Sequence, residues 1–192
     1  MRLLHRLSNR PPWQALLLAA VLGGCAPGRG LPPLPPAPGA IYRLGPGDMV
    51  RLIVFGEDTM SSEFRVSDSG AIAVPLAGSV RAAGLTTAEL QTSIAEVLKH
   101  GGVLRDPSVS VEVVTYRPVF VLGEVNKPGQ YPYQPGMTVV SAAAVAGGFT
   151  YRAIEAYASV VRTAGETAIE AKAQRHNLVQ PGDVITIFER RF

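Results

Sequence analysis

Few residues in this chain are placed to do chemistry. The only thiol is Cys25, in VLGGCAPG (residues 21–28). Three histidines occur, His5, His100 and His176, and no H-E-x-x-H, G-x-S-x-G or C-x-x-C surrounds any of them. Two carboxylates stand out because each follows Pro-Gly: Asp48 in Pro46-Gly47-Asp48 and Asp183 in Pro181-Gly182-Asp183. At such positions an Asx-type bond from side chain to backbone explains an aspartate, and contact with an ion or a sugar is the alternative. A third cluster is the polar stretch GEVNKPGQY, where Glu124, Asn126, Lys127 and Tyr131 surround the turn expected at Pro128-Gly129. Such a loop is suited to contact with a sugar or a neighbouring subunit, or to no more than a solvated hairpin. No constellation here supports catalysis, and no cofactor or metal is expected.

The residues around Cys25 explain the thiol. Arg2, Arg6 and Arg10 precede a mostly apolar run from Trp13 to Leu22, with no acidic residue through position 24. About ten residues at ~1.5 Å each give ~15 Å of helix, half a hydrocarbon core, which suits the h-region of a secretory signal rather than a span. LGGC matches the bacterial lipobox, Leu-small-small-Cys. The resemblance implies cleavage between Gly24 and Cys25, acylation of the Cys25 sulfur and then of its new amino group. Two or more chains anchor stably where one does not. An ordinary signal peptide with an incidental or buried cysteine is the alternative. Residue 26 is Ala rather than Asp, which in enteric-type sorting points to the outer membrane.

Charge follows from the same cut. The chain has 18 basic and 15 acidic residues, and residues 1–24 carry three arginines and no acid, leaving 15 against 15. A nucleic-acid surface is therefore not indicated. The remaining residues, about 168, suffice for one medium domain or two small ones. Residues 26–40 hold six prolines and read as a Pro/Gly tether, which at ~3.1 Å per residue would reach about 45 Å.

Folded sequence begins near Ile41. Met49 to Phe55 is nearly continuous in apolar residues and reads as a strand buried on both faces, broken at Arg51. Asp68-Ser69-Gly70 turns a hairpin, with Ile72 and Val74 on one face. Leu90, Ile94 and Leu98 form a helix stripe behind a Thr86/Glu89 capping box, stopped at Gly101. Residues 107–116 alternate strictly, with Val109, Val111 and Val113 opposite Ser108, Ser110 and Glu112. Residues 117–133 read as a strand pair, and MTVVSAAAVAGG as a short helix capped by Thr138 and ended by Gly147-Gly148. The end of the chain repeats its start: PGDMVRLIVF (46–55) and PGDVITIFER (181–190) share a turn, an Asp and a strand. The two strands are expected in the same region, the first helping to complete the C-terminal domain.

These pieces together carry a family resemblance. YRLGPGD, DSGAIAVPLAGSVRAAGLTTAEL and PSVSVEV resemble the polysaccharide biosynthesis/export domain. VLGEVNKPGQYPY, MTVVSAAAVAGGFT and PGDVITIFE resemble an SLBB domain, a β-grasp module. The order is that of Wza-type polysaccharide export lipoproteins. The resemblance implies an α+β fold in two parts, residues 41–116 and 117–192, behind a signal (1–24) and tether (25–40). It implies no enzyme activity, and a periplasm-facing homo-oligomeric ring anchored to the outer membrane by its lipid. Capsular or exopolysaccharide would pass through the ring's polar lumen, and an inner-membrane polysaccharide co-polymerase would be the partner. The sequence resembles the short members that lack a second SLBB domain and a C-terminal membrane helix. A periplasmic module that binds or senses glycan without exporting it is the alternative. An enzyme acting on polysaccharide would need a carboxylate pair that no motif marks.

Overall fold

Alternating apolar positions build the first half of the protein. The computed structural model describes residues 27–35, 42–164 and 167–190. Strand β1 (Met49–Val54) is followed by a 3₁₀ turn (Asp58–Met60) and β2 (Ser62–Arg65), then the hairpin β3 (Ala71–Val74) and β4 (Gly78–Arg81). Helix α1 (Thr87–His100) and β5 (Val109–Thr115) complete this part. The strands pair antiparallel in the order β2-β1-β5, with β3-β4 as a separate two-stranded sheet. The capping box forms as expected: Glu89 N donates to Thr86 Oγ1, and Thr86 N to Glu89 Oε2. Leu90, Ile94 and Leu98 are fully buried against Val50, Leu52, Val54, Ile72 and Val111. Val97, one position off the stripe, is exposed.

The expectation that β1 is buried on both faces fails. Val50, Leu52 and Val54 are buried, whereas Arg51, Ile53 and Phe55 are exposed. The sheet is antiparallel and only one face has a helix to cover it. Arg51 was the sequence's sign of this, because a cation on a doubly buried strand would lack solvent.

The second half has its own core. It contains β6 (Val119–Gly123), β7 (Gly129–Tyr131), α2 (Val139–Val145), β8 (Ala153–Ala164), β9 (Thr167–Gln174) and β10 (Val184–Glu189). The sheet order is β7-β6-β10-β8-β9, with β6 and β10 parallel and every other pair antiparallel. The architecture is α+β, as expected. Ala142, Ala143 and Ala146 of the α2 region are fully buried, so the helix approaches the sheet closely. Thr138 caps α2 through a second capping box with Ser141. Pro128-Gly129 does not form the expected turn: the chain bends at residues 126–127, and Gly129 already belongs to β7. The bend sits early because Asn126 N and Lys127 N donate to Gly148 O and Ala146 O at the end of α2.

Two expectations about the N-terminal side are corrected. Strand β1 does not help to complete the C-terminal domain; its partners are β2 and β5, and its buried side chains belong to the first core. The apolar side of β1 matches the stripe of α1, while β10 is already paired on both edges. The described part of the supposed tether is also no free spacer. Residues 32–34 bridge to the edge strand β9 at Lys172: Lys172 N donates to Pro32 O at 2.7 Å and Leu34 N to Lys172 O at 2.8 Å. Leu34 enters the second core, and Tyr157 OH donates to Pro27 O at 3.1 Å. The prolines permit this because the bonding groups straddle Pro33, whose missing N–H costs the ladder nothing at a sheet edge. Burial of Leu34 contributes about 2 kcal/mol. Leu34→Asp is therefore expected to undock the strap and speed exchange of the Lys172 amide by roughly tenfold or more, with the central Ile185 amide much less affected. Hydrogen-exchange mass spectrometry reads both; equal protection in variant and parent would refute the docking.

Candidate functional site

Both Pro-Gly-Asp sequences fold alike. Gly47 and Gly182 take φ of 94° and 89°, the left-handed region that glycine tolerates. Asp48 N donates to Gly45 O, and Gly45 N donates to Asp48 Oδ2 at 2.8 Å. Asp183 N donates to Gln180 O, and Gln180 N to Asp183 Oδ2 at 2.7 Å. Each carboxylate thus reaches back three residues and closes its own turn, a backbone role of the kind expected though in the opposite direction from an Asx turn. Both are buried, and both meet an arginine. Arg162 grips Asp183 in a fork, Nε to Oδ1 at 3.0 Å and Nη2 to Oδ2 at 2.8 Å. Arg117 gives its backbone N–H to Asp48 Oδ1 at 2.9 Å and holds its Nε 3.5 Å from the same oxygen, an ion pair without a hydrogen bond.

Arg117 opens the second half and Asp48 lies in the first, so this clamp joins the two. Tyr42 OH donates to Asp48 Oδ2 at 2.5 Å, and Arg117 Nη2 donates to Tyr42 OH at 3.2 Å. Tyr42, Tyr116 and Tyr133 follow edge to face, with centroids 5.0 and 5.5 Å apart. A Cβ at Gly45 would fall 2.4 Å from Arg117 Nη1, and one at Gly182 4.0 Å from it. The two repeated turns therefore border one guanidinium, although their strands lie in different sheets. Sequence reasoning missed both arginines. Arg162 did leave a signal: it continues the buried alternation Ala158, Val160, Arg162, where a charge needs a partner.

Burial, then the bond to Asp48 and its charge, push the Tyr42 phenol well above its ordinary range, against the lowering effect of Arg117. A raised folded pKa means the unfolded phenol ionises first. Its stabilising contribution is complete below about pH 10 and is lost as pH rises toward the folded value. Stability measured by urea midpoint is expected to fall as pH rises above about 10, with a shallower fall in Tyr42→Phe. Parallel pH profiles for the two proteins would contradict this.

The polar loop is fastened internally. Glu124 accepts from Thr150 Oγ1 at 2.5 Å, Asn126 Nδ2 donates to Gly147 O at 2.8 Å, and Tyr131 OH donates to Lys127 O at 2.5 Å. Lys127 is exposed. Glu124 and Asn126 thus tie the loop to the segment that follows α2, and Tyr131 closes the loop on itself. His100 Nδ1 lies 2.8 Å from Glu96 O at the end of α1. Gly24 and Cys25 lie outside the described residues.

The open face of β2-β1-β5 is the other polar surface. Arg51 spans all three strands, with Nη2 2.8 Å from Glu63 Oε1 and Nη1 2.9 Å from Glu112 Oε1. Beside it lies a shallow concavity of about 420 Å³ lined by Arg51, Leu52, Ile53, Ser61, Ser62 and Glu63. Just past the end of β1, Phe55 projects with 83% of its surface exposed.

Comparison with known proteins agrees with this two-part build. Residues 36–114 match the family described as polysaccharide biosynthesis/export protein, and residues 118–180 match the SLBB domain. The chain belongs to the polysaccharide biosynthesis/export family, with one SLBB domain behind the export domain. That is a family of export proteins rather than enzymes. Among curated relatives, the exopolysaccharide production protein ExoF of Rhizobium meliloti is 32% identical over 166 residues, 78% of this chain and 39% of the relative. The EPS I polysaccharide export outer membrane protein EpsA of Ralstonia nicotianae is 33% identical over 133 residues, 56% of this chain and 34% of the relative. EpsA of Ralstonia solanacearum is 29% identical over 171 residues, 75% and 45% of the two chains. The chain thus spans less than half the length of each of these relatives.

Proposed function

We propose that this protein is a component of an exopolysaccharide or capsule export apparatus. It is anchored to the outer membrane through acylated Cys25 and faces the periplasm. Copies close into a ring around a polar passage, and an inner-membrane polysaccharide co-polymerase feeds the growing polymer to it. The observation that carries this reading is the ordered pair of export and SLBB domains, backed by the names of the relatives.

The structure supports the mechanical side. A conduit wall needs subunits of fixed shape, and the Asp48–Arg117–Tyr42 clamp ties the two cores across their junction. Transport requires no covalent step. It needs weak, repeated polar contacts, so that a chain both enters and leaves. No helix among the described residues is long and apolar enough to cross a membrane, which says nothing of strands.

The test has three readouts on protein purified from membranes. Mass spectrometry is expected to find acyl chains on Cys25, electron microscopy a closed ring, and gene deletion a loss of surface polysaccharide. An unacylated, monomeric protein whose deletion leaves the cell surface unchanged would overturn the reading. A monomer that still binds glycan would favour a sensing module.

A further inference from the structure

We propose that the open face of the β2-β1-β5 sheet is a contact surface for pyranose sugars in an uncharged stretch of polysaccharide. This rests on the export reading above and says which surface of the first domain would meet the polymer.

Three observations on that face point to such a ligand. The first is the aromatic. Phe55 is 83% exposed and lies just past the end of β1, two positions beyond Ile53, itself 46% exposed. Phe55 opens the turn after β1, where its N–H donates to Ser108 O at 2.9 Å, and an exposed ring held there offers a platform for the C–H face of a pyranose. The second is the polar frame beside it. Arg51 is fixed between Glu63 and Glu112, so its donors and their acceptors are set in place across three strands. A shallow concavity of about 420 Å³, within the ~300–1,000 Å³ range of small-molecule sites, is lined by Arg51, Ile53 and Glu63, with Ser61 at its border held to Val54 and Glu57. Apolar Ile53 and Phe55 beside the charged Arg51, Glu63 and Glu112 match a sugar, which carries C–H faces and hydroxyl edges in the same ring.

The third observation is charge, and it chooses the occupant. Arg51 and Arg65 on this face balance Glu63 and Glu112, so nothing draws a polyanion or a polycation. A dry protein partner would strip water from Arg51, Glu63 and Glu112, whose side chains are 46%, 43% and 60% exposed. Removing such charges from water costs more than their pairing returns. A sugar chain leaves the face wet and avoids that cost.

The sequence's single tryptophan, Trp13, lies in the segment that the export reading removes ahead of Cys25, so a reporter can be placed cleanly. Phe55→Trp, in the protein purified from membranes, is titrated with cellohexaose as a neutral probe and polygalacturonate as an acidic one. A saturable emission shift with cellohexaose is expected, weakened about tenfold by Arg51→Ala combined with Ile53→Ser. A reporter at Tyr151→Trp, exposed in the second domain, should stay silent. No shift with either probe would overturn the proposal, as would tighter binding of polygalacturonate. A shift that follows protein concentration without sugar would also overturn it, since a second copy would then cover the face. If the sugar-dependent shift persists while deletion leaves surface polysaccharide unchanged, the export reading falls and the contact surface stands.

Discussion

Asp183→Ala is expected to lower the unfolding free energy by about 3–5 kcal/mol, because it strands a buried guanidinium. Arg162 is 9% exposed at the side chain and Asp183 1%, and the fork between them uses both carboxylate oxygens. The same carboxylate holds Gln180 N, so the turn before β10 loosens as well. Asp48→Ala should cost less. Its partner Arg117 keeps 29% of its side chain in solvent and can recover hydration. Urea denaturation followed by circular dichroism ranks the two. The double variant Arg162→Leu with Asp183→Leu separates pairing from packing: it removes both charges and should recover much of the loss. A loss below about 1 kcal/mol for Asp183→Ala, within the range of an exposed ion pair, would contradict the buried-pair account.

Gly123→Ala is the second severe substitution, for a backbone reason. Gly123 ends β6 with φ of 81°, opposite Ile187 in the parallel register with β10. A Cβ there would fall 2.1 Å from Ile187 O. That oxygen already accepts from Glu124 N at 3.0 Å, so the methyl group displaces a ladder bond and parts the central pair of strands. The cost should be about 3 kcal/mol or more. Gly78→Ala supplies the comparison. Gly78 has φ of 74° but nothing within 4 Å of its Cβ position, leaving only left-handed strain of about 1–2 kcal/mol. The difference between the two variants isolates the clash, and equal losses would remove it from the explanation.

Elements with local reasons to form could be read from the sequence. Helix α1 carries its own start in Thr86 and Glu89 and its own face in Leu90, Ile94 and Leu98. Strand β5 alternates so strictly that its buried side was unambiguous. Strand β1 misled because Ile53 and Phe55 are apolar and nevertheless face solvent. The hairpin β8-β9 went unassigned. Its residues, AIEAYASVVRTA and TAIEAKAQ, are rich in Ala, which favours helix, and long-range pairing overrides that preference. Of the candidate contact residues, Glu124, Asn126 and Tyr131 were recognisable as a polar group. That Glu124 and Asn126 tie the loop to the segment after α2, and that Tyr131 closes it on itself, was not.

The sequence alone determined the family, the two-part α+β order, both capped helices and the shared turn chemistry of the two Pro-Gly-Asp motifs. Each of these depends on residues within a few positions of one another, or on their order along the chain. Tertiary structure decided the rest: which face of β1 meets solvent, that the proline-rich strap lies on β9, and that Arg117 and Arg162 neutralise the two buried aspartates. Those outcomes depend on which distant surface arrives to cover a side chain, and burial of a charge or an apolar face is a property of that meeting rather than of any local stretch.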